Sequence, residues 1–325
     1  MKESFLQSRE WLNFQKSYGK TTLDLSKNKS FSAKIIKEPL PLVGNYFYLP
    51  RGPEIKNKND IKNVLELIIK KATDFGVNWV RIEPPSKEII RLIQSSIVNL
   101  SLKKAPIDIQ PVQNLWININ LEPKEILSLM KPKTRYNIRL AQRKKVSVIK
   151  LSDFHFNQRQ KLLHQFWQLI KKTSQRQRIK PYPLDYYQKM LQSLPTYMID
   201  LYLAQYQDKI IAGAIVIFYR QQAIYLHGAF DDNFRQLMGP FALHWKIIQD
   251  AHKKNKKWYD LGGVKIKKDN NNLVAIESNW KGITRFKLGF SKIPKLVEYP
   301  GTYDIVLKKY PYFLYRFLRK IKQSI

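Results

Sequence analysis

Apolar positions along this chain follow two spacings, one near every 3.6 residues and one near every second residue. The switches between them mark out helices and strands. Residues 4–19 carry the helical spacing, with Trp11 and Phe14 inward, Ser4 as the cap and Gly19 as the stop. Residues 31–36 and 45–49 read as strands, the second closed by Pro50-Arg51-Gly52-Pro53. Asp60 opens an amphipathic helix with Ile61, Val64, Leu65, Ile68 and Ile69 on one face, and Gly76 ends it. A buried strand at 77–82 stops at Pro84-Pro85, and Ser86 caps a helix through Ile97. Residues 115–120 alternate as a strand, and Pro123 opens a short helix.

The second half repeats the scheme. Residues 153–171 form a helix with Phe156, Leu163, Phe166 and Leu169 inward. Residues 201–205 and 210–219 pair as a hairpin across Gln207-Asp208, and 223–229 adds a third strand. Everything else is organised around 224–290. A polar turn at 231–238 leads to Pro240, which suits the first turn of a helix whose apolar positions are Phe241, Trp245, Ile248 and Ala251. A strand at 258–261 stops at Gly262-Gly263. A Lys- and Asn-rich loop then delivers Arg285-Phe286-Lys287-Leu288-Gly289-Phe290. Strands alternating with helices in both halves predict an α/β (α+β) protein with mixed sheets, divided into domains at 1–150 and 151–325.

Charge narrows the partners. The 325 residues carry 58 Lys and Arg against 25 Asp and Glu, a formal net charge of +33. Such an excess calls for an anionic partner: nucleic acid, an anionic lipid surface or a nucleotide-linked substrate. The absence of cysteine excludes disulfides and thiol nucleophiles. Five scattered histidines, with no HxxxH or HxH pair, argue against a zinc site, and no metal or cofactor is expected. The first residues hold no apolar core of a signal peptide, and no apolar run approaches ~18 residues. The expectation is a cytoplasmic protein, soluble or peripheral.

Four basic stretches bear candidate chemistry. Lys287, between an aromatic and a glycine, is either a point charge for an oxyanion or phosphate, or a surface lysine beside core phenylalanines. On a helix starting near Thr134, Arg135, Arg139 and Arg143 fall one turn apart on one stripe. Like charges at that spacing repel unless an anionic ligand such as a phosphate relieves them. Residues 171–187 interleave Arg176, Arg178 and Lys180 with Tyr182, Tyr186 and Tyr187, which suits phosphates and stacked bases. The last segment, KKYPYFLYRFLRKIKQSI, reads as a basic, aromatic helix fit for an anionic membrane surface or for packing on the body of the protein.

The order YLHGA, RQLMGPFALHW, YDLGG, ITRFKLGF resembles the Fem family of aminoacyl-tRNA-dependent peptidyltransferases, which build the interpeptide branch of peptidoglycan precursors. FLQSREWLNFQKSYGK near the start, YLPRGP at 48–53, RIEPP at 81–85 and KPKTRYNIRLAQRKKV at 131–146 continue it in the family's order, over nearly the whole chain. The resemblance implies two acetyltransferase-like domains, here without the coiled-coil insertion of some members. It implies aminoacyl transfer from aminoacyl-tRNA to a stem-peptide amine on a lipid-linked or UDP-linked muropeptide; a monomer is expected. It assigns Lys287 as cationic stabiliser, with Phe286 shaping the pocket. Arg178, Tyr182 (with Tyr186 as the other match for that tyrosine), Tyr225, His227, Lys16 and Glu83 become substrate-binding candidates, and Arg135, Arg139 and Arg143 contacts to tRNA. Glu83 stands where an Asp is common in the family. His227 and Asp260 are candidates by position for a general base, and a core histidine is the other reading of His227. Two functions compete: an acyl-CoA-dependent N-acyltransferase, for which no Q/RxxGxG/A pyrophosphate loop is found, and a non-catalytic RNA-binding protein.

Overall fold

A computed structural model describes residues 4–27, 30–97, 99–270 and 272–324. The chain forms two compact units, Met1–Val112 with Glu298–Ile325, and Gln113–Val297. The expected boundary at 150 falls inside the second unit, and strand pairing is the reason. Ser147–Lys150 adds to the edge strand Ile199–Tyr206, while Gln113–Asn118 pairs with Trp258–Gly263. Tyr303–Val306, far along the chain, returns between Trp79–Ile82 and Ser101–Lys104 of the first unit.

The sheet of the first unit runs Thr21–Asp24, Lys34–Leu40, Gly44–Leu49, Trp79–Ile82, Tyr303–Val306, Ser101–Lys104. Gly44–Leu49 and Trp79–Ile82 are parallel, joined through the helix Ile61–Asp74, which buries Ile61, Val64, Leu65 and Ile68. At the start, Ser4 caps a single 3₁₀ turn, and Ser8 then caps the helix Arg9–Ser17 through a bond from the Trp11 N–H. One sequence-predicted helix is thus two capped segments, each with a serine satisfying its leading donors.

The unit's polar centre is dense. Arg81 is 2 % exposed and forks onto Asp304 with bonds of 2.8 and 2.9 Å, then reaches the Tyr315 hydroxyl at 3.0 Å. Tyr312 donates to the same aspartate. These tyrosines stand on the helix Lys309–Ser324, whose inner side packs Tyr312 and Tyr315 on Trp79.

The second unit holds a seven-stranded sheet ordered Lys295–Glu298, Gln113–Asn118, Trp258–Gly263, Gln222–Phe230, Lys209–Tyr219, Ile199–Tyr206, Ser147–Lys150. Gln222–Phe230 and Trp258–Gly263 are parallel, connected by the helix Gly239–Lys253. That helix and Pro132–Arg143 share one core with Ala212, Ala214 and Val216 of the strand Lys209–Tyr219. Phe166, of the helix Phe156–Gln177, packs against Gly213, which the strand's alternation places on the opposite face. Mixed sheets and the α/β class are as expected. Among the described residues the longest helix, Phe156–Gln177, has 22 residues, and no pair of long helices is inserted.

Residues 264–290 depart from the expected loop. Ile266–Asp269 and Asn272–Ala275 form a hairpin, and Lys281–Lys287 is a helix continued by a 3₁₀ turn. Val264 and Ile266 alternate inward among lysines, and Thr284 is fully buried with its hydroxyl accepting from the Lys265 N–H. The lysines mask in composition what these few apolar positions determine in structure.

Candidate active site

Lys287 ends the helix Lys281–Lys287 with its side chain buried, 6 % exposed. Its Nζ donates to the carbonyl of Gly263 at 2.7 Å and lies 5.9 Å from the Tyr225 ring. It is therefore neither a loop residue nor a surface lysine. Burial lowers its pKa to about 8, against the opposing pull of Asp260. Asp260 shapes the acceptor: its Oδ1 accepts the Gly262 N–H at 2.7 Å and its Oδ2 accepts from Asn114 at 2.9 Å. Gly262 turns the chain at φ +75°, the left-handed region, so that Gly263 presents its carbonyl to the ammonium. An ammonium has three donors, and one of them is taken by Gly263.

Around the ammonium stands an aromatic wall. Tyr225 meets His244 edge-on at 4.8 Å, and His244 meets Phe286 at 5.4 Å and Phe290 at 5.2 Å. His244 bonds the Tyr259 hydroxyl at 2.7 Å, and burial, reinforced by Lys287, pushes its pKa down to about 3. It is neutral at any physiological pH. Sequence reasoning missed His244, although it lies three residues after the inward-facing Phe241, a spacing that returns to the same side of a helix.

Tyr225 and His227 do not share a face. Two residues apart on a regular strand, they would. Here Tyr225 is opposite Val216 and His227 opposite Ile215, so Leu226 is one residue too many: a β-bulge. Tyr225 points to Lys287. His227 points to the other side, where Tyr187, Tyr186 and Tyr182 surround it at 5.3, 5.9 and 6.0 Å. The His227 Nε2 is buried without a hydrogen-bond partner among the described residues, and burial lowers the pKa to about 4. It is thus not a satisfied core histidine, and it stands across the sheet from Lys287. The bulge also places Gly228 beneath Tyr225: a Cβ there would lie 1.8 Å from the tyrosine hydroxyl.

Phe286, one residue before Lys287, lines a cavity of about 660 Å³ with Phe241 as an apolar wall. Lys131, Lys133, Lys281 and Arg285 supply four cations to its lining, and Thr134 and Asn137 add polar groups from the helix Pro132–Arg143. That helix opens on Pro132, and its first turn is fixed to the site by the Lys131 N–H bonding the Gly289 carbonyl at 2.9 Å. Gly289 is required by proximity, since a Cβ would stand 2.3 Å from the Thr134 hydroxyl.

The other predicted residues divide. Arg139 and Arg143 are exposed on the helix as expected, but Arg135 turns back to the carbonyls of Ser128 and Met130 at the end of the preceding helix. The stripe of three is thus two exposed cations, Arg143 lying over the Tyr136 ring at 5.8 Å, and one helix cap. Arg178 is exposed at the left-handed end of the helix Phe156–Gln177, and Tyr182, half exposed, stacks on Tyr186 at 4.1 Å. In the first unit, Lys16 is exposed on the last turn of its helix. Glu83 is buried and its two oxygens accept from the Tyr48 and Thr302 hydroxyls and the Arg51 and Gln110 N–H groups. Four donors saturate a carboxylate, so in this arrangement Glu83 ties strands together and has no lone pair to spare.

The family model of the FemAB family matches residues 100–209 and 198–320. The UDP-N-acetylmuramoylpentapeptide-lysine N(6)-alanyltransferase of Weissella viridescens is 26 % identical over 172 residues, covering 52 % of this chain and 49 % of that protein. The chain thus spans about half the length of this curated relative. Among solved structures, FemX superposes with a TM-score of 0.77 at 16 % identity over 97 % of this chain and 94 % of that one. L-PGS from Bacillus licheniformis follows the same course at a TM-score of 0.57 and 13 % identity, over 96 % of each chain. The two matches together span residues 100–320, more than half of the chain and the whole of the unit Gln113–Val297, and the chain therefore belongs to the FemAB family.

Proposed function

We propose that the protein transfers an aminoacyl group from aminoacyl-tRNA to the stem-peptide amine of a peptidoglycan precursor. The observation that carries this reading is the buried Lys287 ammonium, held by one carbonyl beside a basic, aromatic-walled cavity. The N(6)-alanyltransferase named above, a relative by sequence, gives the reading its acceptor class.

An aminoacyl ester is already activated, so alignment and oxyanion stabilisation suffice for transfer. The acceptor ammonium first sheds a proton. Its amine then attacks the ester carbonyl, forming the C–N bond. The carbonyl oxygen becomes an oxyanion, which the spare Lys287 donors stabilise. Collapse breaks the C–O bond, and the ribose oxygen leaves with a proton. Substrate phosphate or the leaving ribose takes the first proton in this scheme, because His227 faces away from Lys287. The cavity with Lys131, Lys133 and Arg285 receives the phosphates of the tRNA end, with Arg139 and Arg143 extending the track. Arg178, Tyr182 and the His227 side of the bulged strand bind the precursor's nucleotide, and Tyr225 orients its peptide. The enzyme works as a monomer on the cytoplasmic side, in peripheral contact with the anionic membrane where lipid-linked precursor resides.

Incubation of the purified protein with charged total tRNA and either UDP-linked or lipid-linked muropeptide, read by mass, tests the proposal. The expected product is heavier by one aminoacyl residue and depends on intact aminoacyl-tRNA. No product with any charged tRNA, or a product formed from acyl-CoA alone, overturns it.

A further inference from the structure

The helix Lys309–Ser324 has two apolar sides, and the first unit uses one. Tyr312 and Tyr315 are each 3 % exposed, packed on Trp79 and bonded to the Arg81–Asp304 pair. On the opposite side, Tyr310, Leu314, Phe317 and Ile321 follow one another at spacings of four, three and four residues, which align them on a single stripe. They are 91, 40, 53 and 43 % exposed. Phe313, 72 % exposed, widens the stripe. Isolated apolar residues on a surface need no explanation, but a continuous stripe of this length does.

Charge decides what covers it. Lys309, Arg316 and Lys320 lie along one side of the stripe, Arg316 also donating to the Lys104 carbonyl at 3.0 Å, on a chain of net charge +33. A second copy would bring these cations against their own kind. An anionic bilayer meets both demands: its headgroups attract the lysines and arginine, and its interface accepts aromatic and aliphatic side chains lying flat. The stripe holds two phenylalanines and a tyrosine, rings suited to that boundary. No described helix is long and apolar enough to cross a membrane, so contact here is interfacial. We infer that the outer side of the helix Lys309–Ser324 is a membrane-docking surface that inserts Tyr310, Phe313, Phe317 and Ile321 into the interface of an anionic bilayer.

Sedimentation with vesicles of phosphatidylcholine, with and without phosphatidylglycerol, tests this at low and moderate salt. Vesicle binding is measured without substrate, so it stands or falls independently of the transfer reaction. The parent protein is expected to bind vesicles containing phosphatidylglycerol and to retain part of that binding at moderate salt, where charge alone fails. The variant Phe313→Ser/Phe317→Ser/Ile321→Ser, altering exposed side chains and sparing the buried tyrosines, is expected to partition about tenfold less or weaker still, with an unchanged melting temperature. A Phe317→Trp protein is expected to lose fluorescence to brominated lipid beyond the loss seen in the parent. Three results overturn the inference: a serine variant that binds as the parent does, which leaves only diffuse charge; no parent binding; or dimerisation without lipid that the serine variant abolishes, which assigns the stripe to a second copy.

Discussion

Arg81 in the first unit and Lys287 in the second are both buried cations, 2 % and 6 % exposed, and they are treated in opposite ways. Arg81 has a bidentate carboxylate and a phenol, and Asp304 has a second phenol besides. Every strong demand of that pair is met within the protein. Lys287 has one carbonyl, an aromatic face and a carboxylate that is itself occupied by a backbone N–H and an amide. A saturated buried charge contributes order, whereas an under-partnered one keeps donors for something that arrives. The difference identifies which of two buried cations to test in an assay and which in a melting experiment.

The largest effect is expected where the partners are saturated. Asp304→Ala strands the Arg81 guanidinium without its counter-charge and should cost about 3–5 kcal/mol of stability, read from urea unfolding. A loss below about 1 kcal/mol would show that the network is ornamental and dissolve the contrast. Lys287→Ala should leave the fold intact and lower turnover by about 10²–10³, roughly 3–4 kcal/mol of transition-state stabilisation. Lys287→Arg should recover part of it, because a planar fork replaces a compact ammonium. If saturating tRNA restores the single-turnover rate of Lys287→Ala, the residue is a phosphate contact instead.

Protonation sharpens the same point. The groups facing the ammonium are Asp260, His244 and Tyr225; His244 titrates near 3 and Tyr225 near 12, leaving Lys287 to change charge near 8. A donor role predicts turnover that falls as pH rises through about 8, and a base role the reverse. Stability moves too. The folded pKa is depressed below the ordinary 10.5, so between about 8 and 10.5 the unfolded chain binds more protons and stability rises with pH. The rise should amount to the order of 2–3 kcal/mol and should vanish in Lys287→Met, which chemical unfolding at pH 7 and pH 10 would detect. The smallest effect concerns the surface. Arg139→Ala/Arg143→Ala should reduce the salt slope of tRNA binding by about 1–2, as loss of two phosphate contacts requires, with turnover at saturation unchanged. An unaltered slope would make both arginines a solvated face.

Much of the frame was legible because local spacing and global packing agree. The helix Gly239–Lys253 shows its apolar positions every three to four residues, and the hairpin before it shows two β-rich runs around a polar pair. The site was legible only as a location. Lys287 reads as a loop lysine because KGITRFK contains Gly282 and little periodicity; what buries it is a carbonyl 24 residues earlier. The split of Tyr225 from His227 was hidden for a similar reason: the extra residue is defined by the register of the neighbouring strand. Arg135 looks like its neighbours on a helical stripe, and what captures it is the end of another helix. The unit boundary was missed because Tyr303–Val306 pairs with strands some two hundred residues away, which no local pattern records.

Gly228, under the Tyr225 ring, has a consequence for how such a site can change over generations. No side chain fits at 228 while the tyrosine keeps its place, since even a methyl group would overlap the hydroxyl. The two positions therefore form a volume lock. Replacing the glycine displaces the ring beside the ammonium without altering any charge, and replacing the tyrosine with something small first releases the glycine to vary. Drift through this pair has one permitted order of steps, and the first of them already gives up the aromatic face that Lys287 rests against.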